Sequence, residues 1–311
     1  MTNKCTVAIC TFNRSRNLAE LIGLLREQEC PVPFDILVVD NNSSDSTQQV
    51  LAELARNNGV PLRVVTERQQ GITYARNRAI EESFGSSFLA FIDDDELPAT
   101  GWLKAAIDAL DREEAECVGG EIQVRLPTNS PRWIDDSLLG FLGKVSYGAA
   151  PFWVMDSSTP IWSGNIAYRM SIFKDGLRFD HRYNRAGFGI GGGSDSVMFQ
   201  ELLNDQRRIR YRPDMKIVHL VEEFKLSPYY FLKLHFKSGC RSAQWHSDDY
   251  PSSIMGIPPF MVRQLLTHIF KTLIFILRRK SGLIRQGMNA AHAAGMLVGC
   301  WRRRRYGGEK R

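Results

Sequence analysis

Three carboxylates stand side by side at Asp93, Asp94 and Asp95, with Glu96 directly after them. They follow Phe88–Ile92, an apolar run without alternation, as expected for a strand buried on both faces. Adjacent carboxylates at a strand end repel one another, and as hard oxygen ligands they suit Mg2+ or Mn2+. For an isolated Asp-Asp-Asp the alternative is a solvated acidic turn. Asp40 ends another apolar run, Ile36–Val39, ahead of the polar Asn41, Asn42 and Asp45. A carboxylate there can accept from a base or ribose, or can serve a turn or helix cap. Arg76 falls about one turn into a helical pattern opened by Gly71, either reaching a phosphate or exposed to solvent. Asp195 stands between the Gly187–Gly193 loop and a helical pattern at Ser194–Asn204, placed for a base or for a cap on orphan N–H groups.

The elements that must position these groups alternate. Strand-like CTVAIC, helical Asn17–Gln28, strand-like FDILVVD, helical Ser46–Asn57, strand-like PLRVVTE and helical Ile72–Ser83 lead into Phe88–Ile92. That order predicts an α/β fold with a mostly parallel sheet covered by helices, and such sheets bind ligands at their carboxyl edge. After Cys117–Val124 the texture changes to Pro127, Pro131, Trp133, Pro151, Trp153, Pro160 and Trp162, read as irregular substrate-facing sequence. IRYRPDMKIVHL predicts a short strand or two ending at His219. From Tyr229 the pattern is helical, and Pro259–Leu277 carries Val262, Leu265, Leu266, Ile269, Leu273 and Ile276 at amphipathic spacing. The expected organisation is one α/β domain over 1–224, with halves 1–125 and 126–224, and a helical basic tail over 225–311.

Composition narrows the classes. The chain has 311 residues, 43% of them hydrophobic, which is ordinary globular composition with length for a sizeable core. Its six cysteines are scattered without a Cys-x-x-Cys pair, fitting buried thiols in a reducing compartment and no zinc motif. The N-terminus runs straight into strand-like sequence, so secretion is not expected. Charge is uneven: from Phe260 to Arg311 twelve Lys/Arg face one acid, Glu309, and the body before it holds 28 basic and 33 acidic residues. A basic tail of this kind suits a polyanion, either an anionic membrane surface or nucleic acid. Arg278, Arg279, Lys280 and Arg302–Arg305 stand beside the amphipathic stretch, which suits interfacial attachment, the alternative being a helix docked on the protein's own core with solvated arginines outside. The longest uninterrupted apolar run there, Leu273–Leu277, is far below the roughly 20 residues that span a bilayer.

VAICTFNRSRNL, ILVVDNNSSDST, GITYARNRAI and FLAFIDDDE, in this order and spacing, resemble the nucleotide-sugar domain of family 2 glycosyltransferases, which have the GT-A fold. The likeness continues through WSGNIAYRMSIF, the glycine loop ending in Ser194-Asp195, and YRPDMKIVH, covering about Thr6 to His219. FIDDDE-x-x-x-x-GWL and PRW resemble the subgroup that extends succinoglycan-type exopolysaccharides. The resemblance implies that Thr11 and Asp40 hold the nucleoside with Arg76 near it, and that Asp93 and Asp94 serve the nucleotide sugar. It further assigns Asp95 to a divalent metal, Mg2+ or Mn2+, makes His219 another metal or diphosphate contact where a histidine at a strand end can also be structural, and makes Asp195 the catalytic base. Asp195 matches the second residue of the family's Glu-Asp pair, whose glutamate is here replaced by Ser194.

The activity so implied is transfer, with inversion, from a nucleotide diphosphate sugar to a saccharide acceptor. A UDP-sugar is the expected donor, with dTDP- and GDP-sugars open, and the acceptor can be lipid-linked. The expected location is cytoplasmic and peripheral on the inner face of the cell membrane, with no nucleic-acid partner. The alternatives are a noncatalytic saccharide- or nucleic-acid-binding protein on the same fold, or a sugar nucleotidyltransferase. The latter would place a glycine-rich phosphate loop after its first strand, where this chain has TFNRSRNL. Gly187-Phe-Gly-Ile-Gly-Gly matches the dinucleotide fingerprint literally but follows the polar HRYNRA rather than a first strand.

Overall fold

The computed structural model describes residues 2–187, 189–191, 193–245, 253–254, 256–278 and 280–306. Phe188 and Gly192 of the glycine loop, Arg279, the Arg305 side chain and Glu309 lie outside the described residues. The chain divides into two compact units, Met1–Val221 and Glu222–Arg311.

Unit 1 is built on one sheet. Its strands are β1 (Thr2–Thr11), β2 (Phe34–Asp40), β3 (Leu62–Thr66), β4 (Ser86–Ile92), β5 (Glu96–Pro98), β6 (Cys117–Arg125), β7 (Phe152–Val154), β8 (Asn165–Arg169) and β9 (Ile209–Leu220). The order is β3-β2-β1-β4-β8-β6-β9-β5, with β7 on β9. The first four strands are parallel, and β8 enters antiparallel to both β4 and β6. β6 and β9 run parallel, with β5 and β7 antiparallel to β9, so the sheet is mixed. The unalternated apolar runs behave as their composition requires: Val7–Cys10, Ile36–Val39 and Phe88–Ile92 are all buried.

The helices of unit 1 are α1 (Ser15–Arg26), α2 (Thr47–Leu54), α3 (Ile72–Glu82), α4 (Trp102–Asp111), the short α5 (Asp136–Leu139) and α6 (Ser194–Asn204). In α1 the buried Leu18, Leu21, Ile22 and Leu25 form one stripe at helical spacing. Two strands lie where the sequence suggested irregular structure. β8 is only five residues long, too short to show a period, yet it sits centrally between β4 and β6. A buried amide fixes it there. Asn165 Oδ1 accepts from Trp102 Nε1 at 2.8 Å, and its Nδ2 donates to Glu121 O at 3.0 Å and Met215 O at 2.8 Å. Of the one or two short strands expected from IRYRPDMKIVHL, the structure has one, 12 residues long and ending at Leu220. Gly120 pairs with Arg212 and Ile122 with Ile217, so residues 213–216 bulge opposite Glu121, and the bulge accommodates Pro213.

Unit 2 holds α7 (Pro228–Trp245), α8 (Pro259–Leu277) and α9 (Leu283–Tyr306). α7 and α9 meet through glycines. A Cβ added at Gly239 would lie 2.1 Å from His292 O, at Gly295 2.0 Å from Phe236 O, and at Gly299 2.3 Å from Cys240 O. α8 leans on α9 through Met261, whose sulfur is 3.8 Å from Cys300 Sγ, and Gln286 Nε2 donates to His268 O at 3.1 Å. Its opposite side leaves Val262, Leu266, Ile269, Phe270, Leu273, Ile276 and Leu277 exposed. At 19 residues, α8 is long and apolar enough to cross a membrane by length and composition. An uninterrupted apolar run was too strict a measure, because the helix spaces its polar residues along one arc. All six thiols are free; five are buried and Cys30 is half-buried.

Candidate active site

The carboxyl ends of three adjacent parallel strands supply the first half of the site. β1 ends at Thr11, which is in register with Asp40 at the end of β2, and β4 runs directly into Asp93. Thr11 Oγ1 donates to Asp94 Oδ2 at 2.7 Å. Burial, then the neighbouring Asp95 charge, pushes the Asp94 carboxyl up to about 7. Burial, followed by the charges of Asp93 and Asp95, also holds the Glu96 carboxyl well above its ordinary range, and Glu96 accepts from the Asp93 N–H at 3.1 Å. The acidic run is therefore folded inward rather than displayed as a solvated turn.

Asp40 is wholly buried and turned toward its own loop. It accepts from Ser43 N–H at 3.1 Å and from Gln48 Nε2 at 2.8 Å. Asp45, next along, accepts from Thr47 N–H at 2.9 Å, a turn bond two residues long just ahead of α2. Asn41 fastens the following segment: its Nδ2 donates to Glu67 O and Gln69 O, and its Oδ1 accepts from Gly71 N–H.

β9 brings the second half of the site. His219 is in register with Glu96 across β5 and β9, and its Nε2 lies 3.5 Å from Asp95 Oδ2. Its Nδ1 is 2.8 Å from Leu142 O, and because a carbonyl only accepts, Nδ1 carries a proton. That arrangement turns Nε2 toward the Asp95 carboxylate, the orientation a metal-ligating imidazole requires. One oxygen donor and one nitrogen donor fit part of a Mg2+ or Mn2+ shell, which is usually completed by phosphate and water. Among the described residues no group of three or more His, Cys, Asp or Glu forms a ready-made cage. Arg14, which the sequence reading did not single out, places NH1 3.6 Å from Asp95 Oδ2. Its signal was a basic residue in the short segment between β1 and α1, indistinguishable in sequence from Arg16 two residues on.

Asp195 is the second residue of α6, which follows Gly193 in the left-handed region at φ 93°. Arg76 of α3 joins it to the donor edge: NH1 donates to Asp195 Oδ1, and NH2 to Asp93 Oδ1 at 3.1 Å. Arg76 is only 3% exposed, so the solvated-helix alternative does not hold. The start of α3 is also tied to the segment leading to α6. Asn184 Oδ1 accepts from Thr73 N–H and Oγ1–H, and His181 stacks on Tyr74 with ring centroids 4.1 Å apart. Thr11 with Asp94, Asp95 with His219, and Arg76 with Asp93 and Asp195 are thus three connected groups on one edge of unit 1. The arrangement can hold a polyanion through a cation at Asp95 and present a carboxylate to a hydroxyl.

The family described as glycosyl transferase family 2 matches residues 6–177. The succinoglycan biosynthesis protein ExoM of Rhizobium meliloti is 24% identical over 235 residues, 75% of this chain and 72% of the relative. Three further curated relatives match over 40%, 29% and 20% of their own lengths, so the chain matches less than half of each. Among solved structures, the mannosyltransferase PcManGT from Pyrobaculum calidifontis, in complex with GDP-Man and Mn2+, superposes with TM-score 0.63 at 16% identity. That match covers 96% of this chain and 87% of the other. Residues 1–349 of TarS from S. aureus, in complex with UDP, give TM-score 0.55 at 16% identity over 99% and 93% of the two chains. Similarity at this level establishes the fold.

Proposed function

The chain belongs to glycosyl transferase family 2, and from that premise we propose that it moves a sugar from a nucleotide diphosphate donor onto a saccharide acceptor with inversion at the anomeric carbon. The observation that carries this reading is the Arg76 bridge between Asp93 and Asp195, which holds a carboxylate beside the strand edge where donors bind in such sheets. Thr11, Asp40 and Asp93–Asp94 form the donor site, Asp40 by fixing the loop of Ser43 and Gln48 rather than by an exposed oxygen. An acceptor hydroxyl is a poor nucleophile until its proton is taken, and Asp195 takes it. The acceptor oxygen then bonds to the anomeric carbon as the carbon–oxygen bond to the diphosphate breaks, and the nucleoside diphosphate leaves. Asp95 and His219 would hold a divalent cation, whose chemistry when bound would be to neutralise charge on that leaving group.

A UDP-sugar is the donor we favour, in keeping with the UDP bound by TarS; the GDP-Man of the PcManGT complex makes guanosine donors the first alternative. The acceptor is a growing cell-surface or extracellular glycan, which can be lipid-linked, in line with the succinoglycan relative. We place the enzyme on the cytoplasmic face of the membrane, attached through the exposed apolar arc of α8 with Arg263, Lys271 and Arg278 beside it. The deciding experiment is a donor screen with Mn2+ or Mg2+, reading nucleotide release across UDP-, GDP- and dTDP-sugars. Turnover of one class is the expected result; binding without turnover of any would reduce the protein to a noncatalytic saccharide binder.

A further inference from the structure

Arg76 is a cation with an unusual set of obligations. It is nine-tenths and more buried, on the fifth residue of α3, with its guanidinium carbon 5.4 Å from the Phe179 ring centroid. Burial works against its charge, yet Asp195 and Asp93 outweigh burial and raise its hold on the proton. Both terminal nitrogens are spent on carboxylates that come from separate elements, the end of β4 and the first turn of α6. Nε is buried and has no hydrogen-bond partner among the described residues. A buried donor left unsatisfied is costly, so the orientation of the fork is set by the two carboxylates at the expense of its third N–H position.

The two partners differ from Arg76 in exposure. The Asp93 and Asp195 side chains are 33% and 35% exposed against 4% for Arg76, so both carboxylates reach solvent while the guanidinium that holds one oxygen of each is buried. A guanidinium is planar and presents its N–H groups in a fixed fork, so it can set the separation and tilt of two carboxylates at once. A lysine ammonium, a compact point charge, can pair with one or both but dictates neither tilt.

We propose that Arg76 is the positioning residue of the reaction: it orients Asp195 by one carboxylate oxygen and registers it against Asp93, leaving Asp195 Oδ2 to meet the acceptor hydroxyl. This rests on the reading of Asp195 as the base. It assigns Arg76 to the alignment of acceptor against donor rather than to contact with the nucleoside.

The test uses the full chain as Arg76→Ala, Arg76→Lys and Asp195→Asn, with UDP affinity measured by calorimetry and transfer measured with the donor found in the screen. Arg76→Ala should lower kcat about 100-fold, in the range of a misplaced general base, while UDP affinity stays within about threefold. Guanidinium chloride at sub-denaturing concentration should restore part of the lost kcat to Arg76→Ala and none to Asp195→Asn. Arg76→Lys should fall between wild type and Arg76→Ala. Should Arg76→Ala not fold, the lysine variant decides, since wild-type kcat in it overturns the proposal. UDP affinity lost in step with kcat in a folded variant also overturns it, and returns Arg76 to the donor. Transfer retained by Asp195→Asn removes the base reading itself, and with it anything for Arg76 to position.

Discussion

At the sheet edge of unit 1, Asp40, Asp94, Asp95, Glu96 and Arg76 are buried, whereas on α8 of unit 2, Leu266, Phe270, Leu273, Ile276 and Leu277 are more than half exposed. Each region departs from the usual partition of residues, and in opposite directions. Buried charge is costly unless it is paired, and here the pairs link side chains from β1, β4, α3, α6 and β9, elements far apart in sequence. Exposed apolar surface is costly unless something covers it. The first departure is resolved inside the unit. The second calls for a surface that the unit does not supply.

The largest effect should come from the base. Asp195→Asn keeps the shape and the capping ability of the side chain but not its basicity, so transfer should fall about 10²- to 10⁴-fold with UDP affinity nearly intact. Near-normal transfer in that variant, with affinity measured on the same sample, would reject the role. Next is the cation. Excess EDTA, or Asp95→Ala, should weaken donor binding and lower turnover at least about tenfold, and Mn2+ should restore the chelated enzyme but not the variant. Turnover indifferent to EDTA would leave the inward-folded acidic run without its proposed purpose.

On the other side of the comparison, Leu266→Glu combined with Phe270→Glu and Leu273→Glu should abolish sedimentation with anionic vesicles at low salt. All three positions are exposed, so thermal unfolding should barely change. If wild type and variant pellet equally, α8 is not the attachment. If the wild type stays in solution but loses self-association in the variant, a second copy covers the face. The smallest effect concerns Asp94. A carboxyl raised from 3.8 to about 7 in the folded state contributes stability that is complete below pH 3.8 and lost as the pH climbs through about 7. Metal-free protein should therefore melt at lower temperature as pH rises across that window, and Asp94→Asn should flatten the slope.

Much of unit 1 could be read from the chain because its strands obey simple patterns. Val7–Cys10, Ile36–Val39 and Phe88–Ile92 are unalternated and lead into polar residues, so the strand ends that bear Thr11, Asp40 and Asp93 were visible. α6 and α8 were visible as a helical pattern after a glycine loop and as an amphipathic spacing of apolar residues over 259–277. β8 was not legible, because five residues inside WSGNIAYR carry no period and its central place depends on the Asn165 amide holding three distant groups. Whether IRYRPDMKIVHL made one strand or two was left open by Pro213, which ordinarily ends a strand and here occupies a bulge. Arg76 was visible as a candidate but not its partners, since Asp195 is 119 residues away and only the folded chain brings the two together.

The α7–α9 seam has a consequence of its own. Where Gly239, Gly295 and Gly299 press against the carbonyls of His292, Phe236 and Cys240, the contact consists of backbone against backbone. Such a seam is held by dispersion and by Cα–H···O approaches, neither of which requires water to be expelled. Helices joined by small residues in this way stay paired in a hydrocarbon medium, where ordinary leucine contacts lose their driving force. The helix pair on which α8 rests should therefore keep its register in detergent micelles and lipid as well as in water, and a single methyl group at Gly295 should be enough to part it in all three.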